Sequence, residues 1–166
     1  MKAAFLDRDG VINEDFGYVG SVERFEFKEG IFELLKLLRD LGYTLFVVTN
    51  QSGIARGYYS KEDFLRLSRW MIEELLKEGI EIKDIAFCPH YPDITGECEC
   101  RKPKPGMIFS LAKKYGVNLE NSIMIGDSQS DIEACQNAGL KKCYKVKESL
   151  FDIIEQLKKD HKKGIV

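Results

Sequence analysis

Asp7 and Asp9 close the first apolar run of the chain, in Phe5-Leu6-Asp7-Arg8-Asp9-Gly10. In an extended segment residues i and i+2 point the same way, so both carboxylates face one spot and Arg8 faces away. Such a pair can hold a hard cation while one member attacks and the other moves a proton. Taken alone, the same residues also fit a solvated strand end before a glycine turn. Three later stretches favour chemistry. Thr49-Asn50-Gln51-Ser52-Gly53 follows a second apolar run, and its hydroxyls and glycine suit phosphate oxygens. Gly126-Asp127-Ser128 follows another, with Asp131 four residues on. Asp127 would complete a three-aspartate cluster with Asp7 and Asp9. Three uncompensated carboxylates repel one another, and a divalent cation is the remedy; hard oxygen donors suit Mg²⁺. Asp131 fits an orienting role or that of a first-turn helix acid. In Arg101-Lys102-Pro103-Lys104-Pro105, one lysine near the aspartates would neutralise both a nucleophile and a phosphate.

A second constellation is Cys88-Pro89-His90 and Cys98-Glu99-Cys100, separated by seven residues. Cys88, His90, Cys98 and Cys100 form a Cys₃His set suited to tetrahedral Zn²⁺, with all four positions from protein and hence a structural site. Three unrelated thiols beside a surface histidine is the alternative. A zinc clamp would fix the backbone that presents Arg101 and Lys102, which follow at once. Cys135 and Cys143 lie in apolar patterns and read as small core residues. Three of five cysteines clustering with a histidine favours metal over disulfides in a reducing compartment.

These groups need elements to position them. Lys2 to Leu6, Tyr43 to Val48, Ile85 to Cys88, Ser122 to Ile125 and Cys143 to Val146 read as strands. Helical spacing marks Glu29 to Leu41, a segment opened by Ser60 with Asp63 as capping-box partner, a helix from Pro105 to Tyr115, Asp131 to Ala138, and a last one lined by Leu150, Ile153, Ile154 and Leu157. Strands alternating with helices predict an α/β fold, a Rossmann-like open parallel sheet with helices on both faces. Ligands then bind at the carboxyl ends of the strands, where the polar residues stand. With 166 residues and no linker or repeat, a single domain spanning 1–166 is expected. A net charge of −2 argues against nucleic acid as partner. No apolar run approaches a membrane span, and Met1-Lys2 leads into a strand without a signal-peptide pattern, so a cytoplasmic setting is expected. Nothing suggests an obligate interface, and a monomer is expected.

Asp7-Arg8-Asp9-Gly10, Thr49-Asn50, Lys102 and Gly126-Asp127 resemble the four motifs of the haloacid dehalogenase superfamily of phosphohydrolases. The zinc loop, Asn13 to Val19, Thr49 to Gly57 and Cys100 to Met107 are similar to the branch with histidinol-phosphatases and heptose bisphosphate phosphatases, and the heptose group fits better. The resemblance implies an Mg²⁺-dependent phosphatase acting on a small phosphorylated sugar, without a large cap domain. It implies Asp7 as nucleophile, Asp9 as acid and base, Thr49 and Lys102 as stabilisers of the phosphoryl group, and Mg²⁺ held by Asp7, Asp127 and the Asp9 backbone carbonyl. Substrate contacts would come from Asp7, Arg8 and Asp9, from Asp15, Phe16, Gly17 and Tyr18, from Thr49, Asn50, Gln51 and Ser52, and from Arg101, Lys102 and Ser128. Arg101 would meet the second phosphate of a bisphosphate. A catalytically silent, zinc-stabilised binding protein is the reading of another class.

Overall fold

Alternation along the strands splits the apolar side chains into two cores. Ala4, Leu6, Leu45, Val47, Ile123 and Ile125 point into one, and Ala3, Phe5, Phe46, Val48 and Met124 into the other. A sheet buried on both faces has near-continuous apolar strands, which is why these segments read as unbroken runs. The computed structural model describes residues 1–166. Its strands are β1 (Ala3–Leu6), β2 (Thr44–Asn50), β3 (Ile82–Cys88), β4 (Ile123–Gly126) and β5 (Lys142–Lys145). They form one all-parallel sheet in the order β3-β2-β1-β4-β5.

The helices are α1 (Ile31–Asp40), α2 (Lys61–Lys77), α3 (Pro92–Thr95), α4 (Gly106–Tyr115), α5 (Gln129–Asn137) and α6 (Leu150–Lys162). The stripes of α1, α2 and α6 fill the first core; Met107, Ile108 and Leu111 of α4 and Ala134 of α5 fill the second. The four fully buried side chains of α1, Ile31, Leu34, Leu35 and Leu38, each contribute about 1.5–3 kcal/mol by leaving water. Helix α2 starts at the expected capping box of Ser60 and Asp63.

Boundaries differ where local rules compete. Strand β3 begins at Ile82, ahead of the expected Ile85, because its polar residues sit on a partly solvated edge strand. Helix α5 starts at Gln129 because Ser128 and Asp131 form a second capping box. The short helix α3 was not expected. Cys135 and Cys143 are joined as a disulfide between α5 and β5, and are not the separate core residues that their apolar surroundings suggest.

Candidate active site

Strand β1 has β2 on one side and β4 on the other, so the chain order reverses there. Crevices open at such switch points, outside the carboxyl ends of the strands. Asp7 follows β1 and Asp127 follows β4. A cavity of about 440 Å³ lies between them, lined among others by Asp7, Asp9, Asp15, Gly17, Tyr18, Asn50, Gln51, Ser52, Lys102, Asp127, Ser128 and Asp131. The backbone at Gly10 is left-handed, at φ 88°, and a Cβ there would collide with the Asp127 carboxylate. Glycine thus lets the first loop pass against the end of β4.

Lys102 is 5% exposed and holds the centre. Its ammonium donates to Asp7 Oδ1 at 3.0 Å, to Asp131 Oδ1 at 2.5 Å and to the Val48 carbonyl at 2.9 Å, which uses all three protons. Asp131 Oδ2 accepts from the backbone N–H groups of Asp127 and Ser128 at 3.1 Å and from the Ser128 hydroxyl at 2.8 Å. Both oxygens of Asp131 are therefore occupied. Oxygens of Asp7, Asp127 and Asp131 lie within 4.8 Å of one another, and those left for a cation belong to Asp7 and Asp127. The donor set is hard oxygen from carboxylates, which fits Mg²⁺.

The electrostatics are unbalanced. Burial and the carboxylates of Asp131, Asp127 and Asp9 push Asp7 well above the usual carboxylate range, although Lys102 opposes them. Burial and the neighbouring Asp131 also raise Asp127. Burial disfavours charge on Asp131 too, but Lys102 and the Ser128 donors outweigh it and hold this carboxyl low. Burial likewise disfavours the charged lysine, yet Asp7 and Asp131 keep Lys102 above its ordinary value.

Asp9 is clasped from two sides. Its Oδ1 accepts from Arg8 Nη2 at 2.8 Å and Asn13 Nδ2 at 2.9 Å; its Oδ2 accepts from Gln51 Nε2 at 3.1 Å. Gln51 also donates to Thr49 Oγ1 at 2.9 Å and accepts the Tyr59 hydroxyl, which orients its amide. Burial pushes the Tyr59 phenol up to about 12, so it stays a donor. Tyr59 and these roles of Asn13 and Gln51 beside Asp9 carry no signal in the sequence.

Several expected substrate contacts stand elsewhere. The Arg8 side chain is 1% exposed and donates to the Val19 carbonyl, so only its backbone can meet a ligand. Thr49, 1% exposed, is outside the cavity lining, behind Gln51. Phe16 is exposed and Arg101 is half-buried beside the Tyr91 ring; neither lines the cavity.

In the cysteine loop, Cys98 Sγ lies 3.6 Å from the sulfurs of Cys88 and of Cys100, and these two are joined to each other. A tetrahedral Zn–S bond of about 2.3 Å gives sulfur–sulfur edges of about 3.8 Å, close to the two edges from Cys98, so the three sulfurs could hold a metal ion once the Cys88–Cys100 bond is reduced to thiolates. His90 is not within 4.8 Å of all three sulfurs, and the expected fourth ligand is outside the cluster. Its backbone carbonyl accepts from Arg101 at 3.4 Å.

The haloacid dehalogenase-like hydrolase family model matches residues 1–139. The chain belongs to the haloacid dehalogenase-like hydrolases. It is 51% identical over 161 residues to the D-glycero-beta-D-manno-heptose-1,7-bisphosphate 7-phosphatase of Helicobacter pylori, covering 96% of this chain and 88% of that relative. It is 47% identical over 152 residues to the D-glycero-alpha-D-manno-heptose-1,7-bisphosphate 7-phosphatase of Photorhabdus laumondii, covering 89% and 83%. A crystal structure of D,D-heptose 1,7-bisphosphate phosphatase from B. bronchiseptica, complexed with magnesium and phosphate, superposes with a TM-score of 0.84 at 31% identity, covering 96% of this chain and 99% of that one. This haloacid dehalogenase-like hydrolase is thus an α/β protein whose fold and family agree with the motifs at its strand ends.

Proposed function

We propose that this hydrolase removes the 7-phosphate of D-glycero-D-manno-heptose 1,7-bisphosphate, on the way to nucleotide-activated heptose, and that residues 1–166 act as one domain. The observation that carries the reading is the cavity at the β1–β4 switch point. It joins paired aspartates to a buried lysine, in a chain 51% identical to a relative named for this reaction.

Asp7 attacks phosphorus in line. A bond forms between its oxygen and phosphorus while the bond from phosphorus to the sugar oxygen breaks. Asp9, in its protonated form, gives its proton to that leaving oxygen. Water then attacks the aspartyl-phosphate, Asp9 takes the water proton, and phosphate leaves with Asp7 restored. The clasp of Arg8, Asn13 and Gln51 keeps the Asp9 carboxylate in reach of both steps. Lys102 offsets charge on Asp7 and on the phosphoryl oxygens, and Asp131 keeps the lysine in place. Thr49 supports the same group by orienting Gln51. Asp7, Asp127 and the Asp9 backbone carbonyl would hold Mg²⁺, which when bound screens the charge that develops on the phosphoryl oxygens. Asp15, Gly17, Tyr18, Asn50, Ser52 and Ser128 form the wall against which the sugar lies. Cys88, Cys98 and Cys100, as reduced thiolates, would hold Zn²⁺ as a structural ion, and His90 would have to move into the cluster to be the fourth ligand. The protein works in the cytoplasm as a monomer, on a small sugar and not on nucleic acid or membrane.

The test is Mg²⁺-dependent phosphate release from both anomers of heptose 1,7-bisphosphate, beside histidinol phosphate and fructose 1,6-bisphosphate, with zinc content measured on the same sample. One heptose anomer leading in kcat/KM by orders of magnitude supports the reading. A lead by histidinol phosphate would replace the substrate and keep the chemistry.

A further inference from the structure

The loop from Asp15 to Gly20 has no support from its own backbone: none of its residues makes a backbone–backbone hydrogen bond. Its shape is also unfavourable by itself. Gly17 and Tyr18 are both left-handed, at φ 82° and 49°, and Tyr18 is the one residue other than glycine in that region. A side chain there is disfavoured, so the conformation must be held from outside. Two arginines hold it. Arg24 Nη1 donates to the Tyr18 carbonyl at 3.0 Å, and its Nη2 donates to the carbonyls of Phe16 at 3.0 Å and Gly17 at 2.9 Å. Arg8 takes the next carbonyl, that of Val19. Four consecutive carbonyls thus rest on two guanidinium groups. Arg8 is buried and also serves Asp9, whereas Arg24 is exposed and its side chain has no polar partner outside the loop. Arg24 stands behind the loop, at a second cavity of about 370 Å³, and does not line the first. On the near side, Asp15, Gly17 and Tyr18 line the active-site cavity. Asp15 Oδ1 accepts the Gly17 N–H at 3.0 Å, so the same turn also places this carboxylate.

We propose that Arg24 is a positioning residue for sugar recognition: by gathering the carbonyls of Phe16, Gly17 and Tyr18 it holds Asp15 and Tyr18 against the sugar, without touching substrate itself. The inference rests on the reading above in which this loop forms part of the sugar wall. The planar fork of arginine accounts for the residue type. Its terminal nitrogens present donors along a rigid edge that meets three carbonyls at once, whereas an ammonium on a flexible stem is a single point charge. Without the pin, Tyr18 relaxes towards right-handed or extended backbone, which turns its ring out of the wall and undoes the turn that places Asp15. The floor of the site is built from other elements, the ends of β1 and β4 with Lys102, and does not depend on the pin. Sugar affinity and phosphoryl chemistry are therefore separable.

The test measures kcat and KM with heptose 1,7-bisphosphate for wild type, Arg24→Ala and Arg24→Lys, beside the Ki of inorganic phosphate, which needs only the floor. Arg24→Ala should raise KM about tenfold, the size of lost charge-assisted hydrogen bonds, with kcat and the phosphate Ki within about twofold of wild type. Arg24→Lys should recover part of the loss. An unchanged KM, or a KM and Ki that rise together, overturns the proposal. The loop itself is read by chymotrypsin, which cuts after Phe16 and Tyr18, both exposed. Native-state cleavage at these two bonds should be about tenfold faster in Arg24→Ala than in wild type, and an equal rate overturns the pin whatever the substrate. A wild type that prefers histidinol phosphate to heptose 1,7-bisphosphate, together with faster cleavage of Arg24→Ala, would defeat the substrate reading while upholding the pin.

Discussion

Two buried carboxylates in this molecule meet opposite fates. Asp160, on α6, is 2% exposed; its Oδ2 accepts the Tyr144 hydroxyl at 2.6 Å and its Oδ1 accepts Gln156 Nε2 at 2.9 Å, with Lys142 Nζ 3.9 Å away. Burial alone would raise this carboxyl, but the Tyr144 and Gln156 hydrogen bonds and two lysines hold it below its usual range. Burial and the neighbouring carboxylate push the Tyr144 phenol up, so it stays a donor. Asp7 is also largely withdrawn from solvent, at the wall of the cavity, but three further aspartates crowd it against one shared lysine, and it is held well above the usual range. Where only the fold is served, the buried charge is matched. Where chemistry is served, the mismatch is kept and a cation or a phosphate relieves it.

The sharpest way to break this comparison is Asp7→Asn. Turnover should fall by roughly three orders of magnitude or more, as for other lost nucleophiles. Melting of the variant without divalent cation should come no lower than wild type, since a repelled charge is gone. A variant that keeps turnover, or one that melts markedly lower, contradicts the contrast.

A finer probe is the pH dependence of stability with and without Mg²⁺. A raised Asp7 means that the native state binds more protons than the unfolded chain between the ordinary carboxylate range and the raised value. Stability of the cation-free protein should therefore fall as pH rises through that window. Mg²⁺ should raise the melting temperature above the window, and its increment should fade as pH drops and protons replace the ion. An Mg²⁺ increment that is the same at acid and neutral pH would count against Asp7 as ligand.

The smallest effect is expected at the matched site. Tyr144→Phe should cost about 1 kcal/mol, roughly 2–4 °C in melting temperature for a chain of this size, with kcat unaltered. Because Asp160 is depressed, its stabilising share is present above the ordinary carboxylate range and lost as pH falls through its folded value. The difference between wild type and Tyr144→Phe should narrow in that acid range; a constant difference would show that the hydroxyl acts without the carboxylate.

Local pattern determined much of this protein. Short unbroken apolar runs set the strands, i, i+3, i+4 stripes set α1, α2 and α6, and Ser60 with Asp63 set a helix start, because each depends on neighbours within one turn or one pleat. The placing of Asp7, Asp9 and Asp127 at strand ends was legible for the same reason, but Arg8 does not face away from both carboxylates: its guanidinium folds back and donates to Asp9 Oδ1 at 2.8 Å. Only the tertiary structure decided what those residues touch. The sheet order β3-β2-β1-β4-β5 brings Lys102 to Asp7 across 95 positions and Gln51 to Asp9 across 42. Loop packing withdrew Thr49 and Arg101 from the cavity lining, left His90 outside the sulfur cluster, and set Arg56 against Tyr91. Such contacts follow from which strands lie side by side and how their loops fold over them, and no periodicity within a segment encodes that.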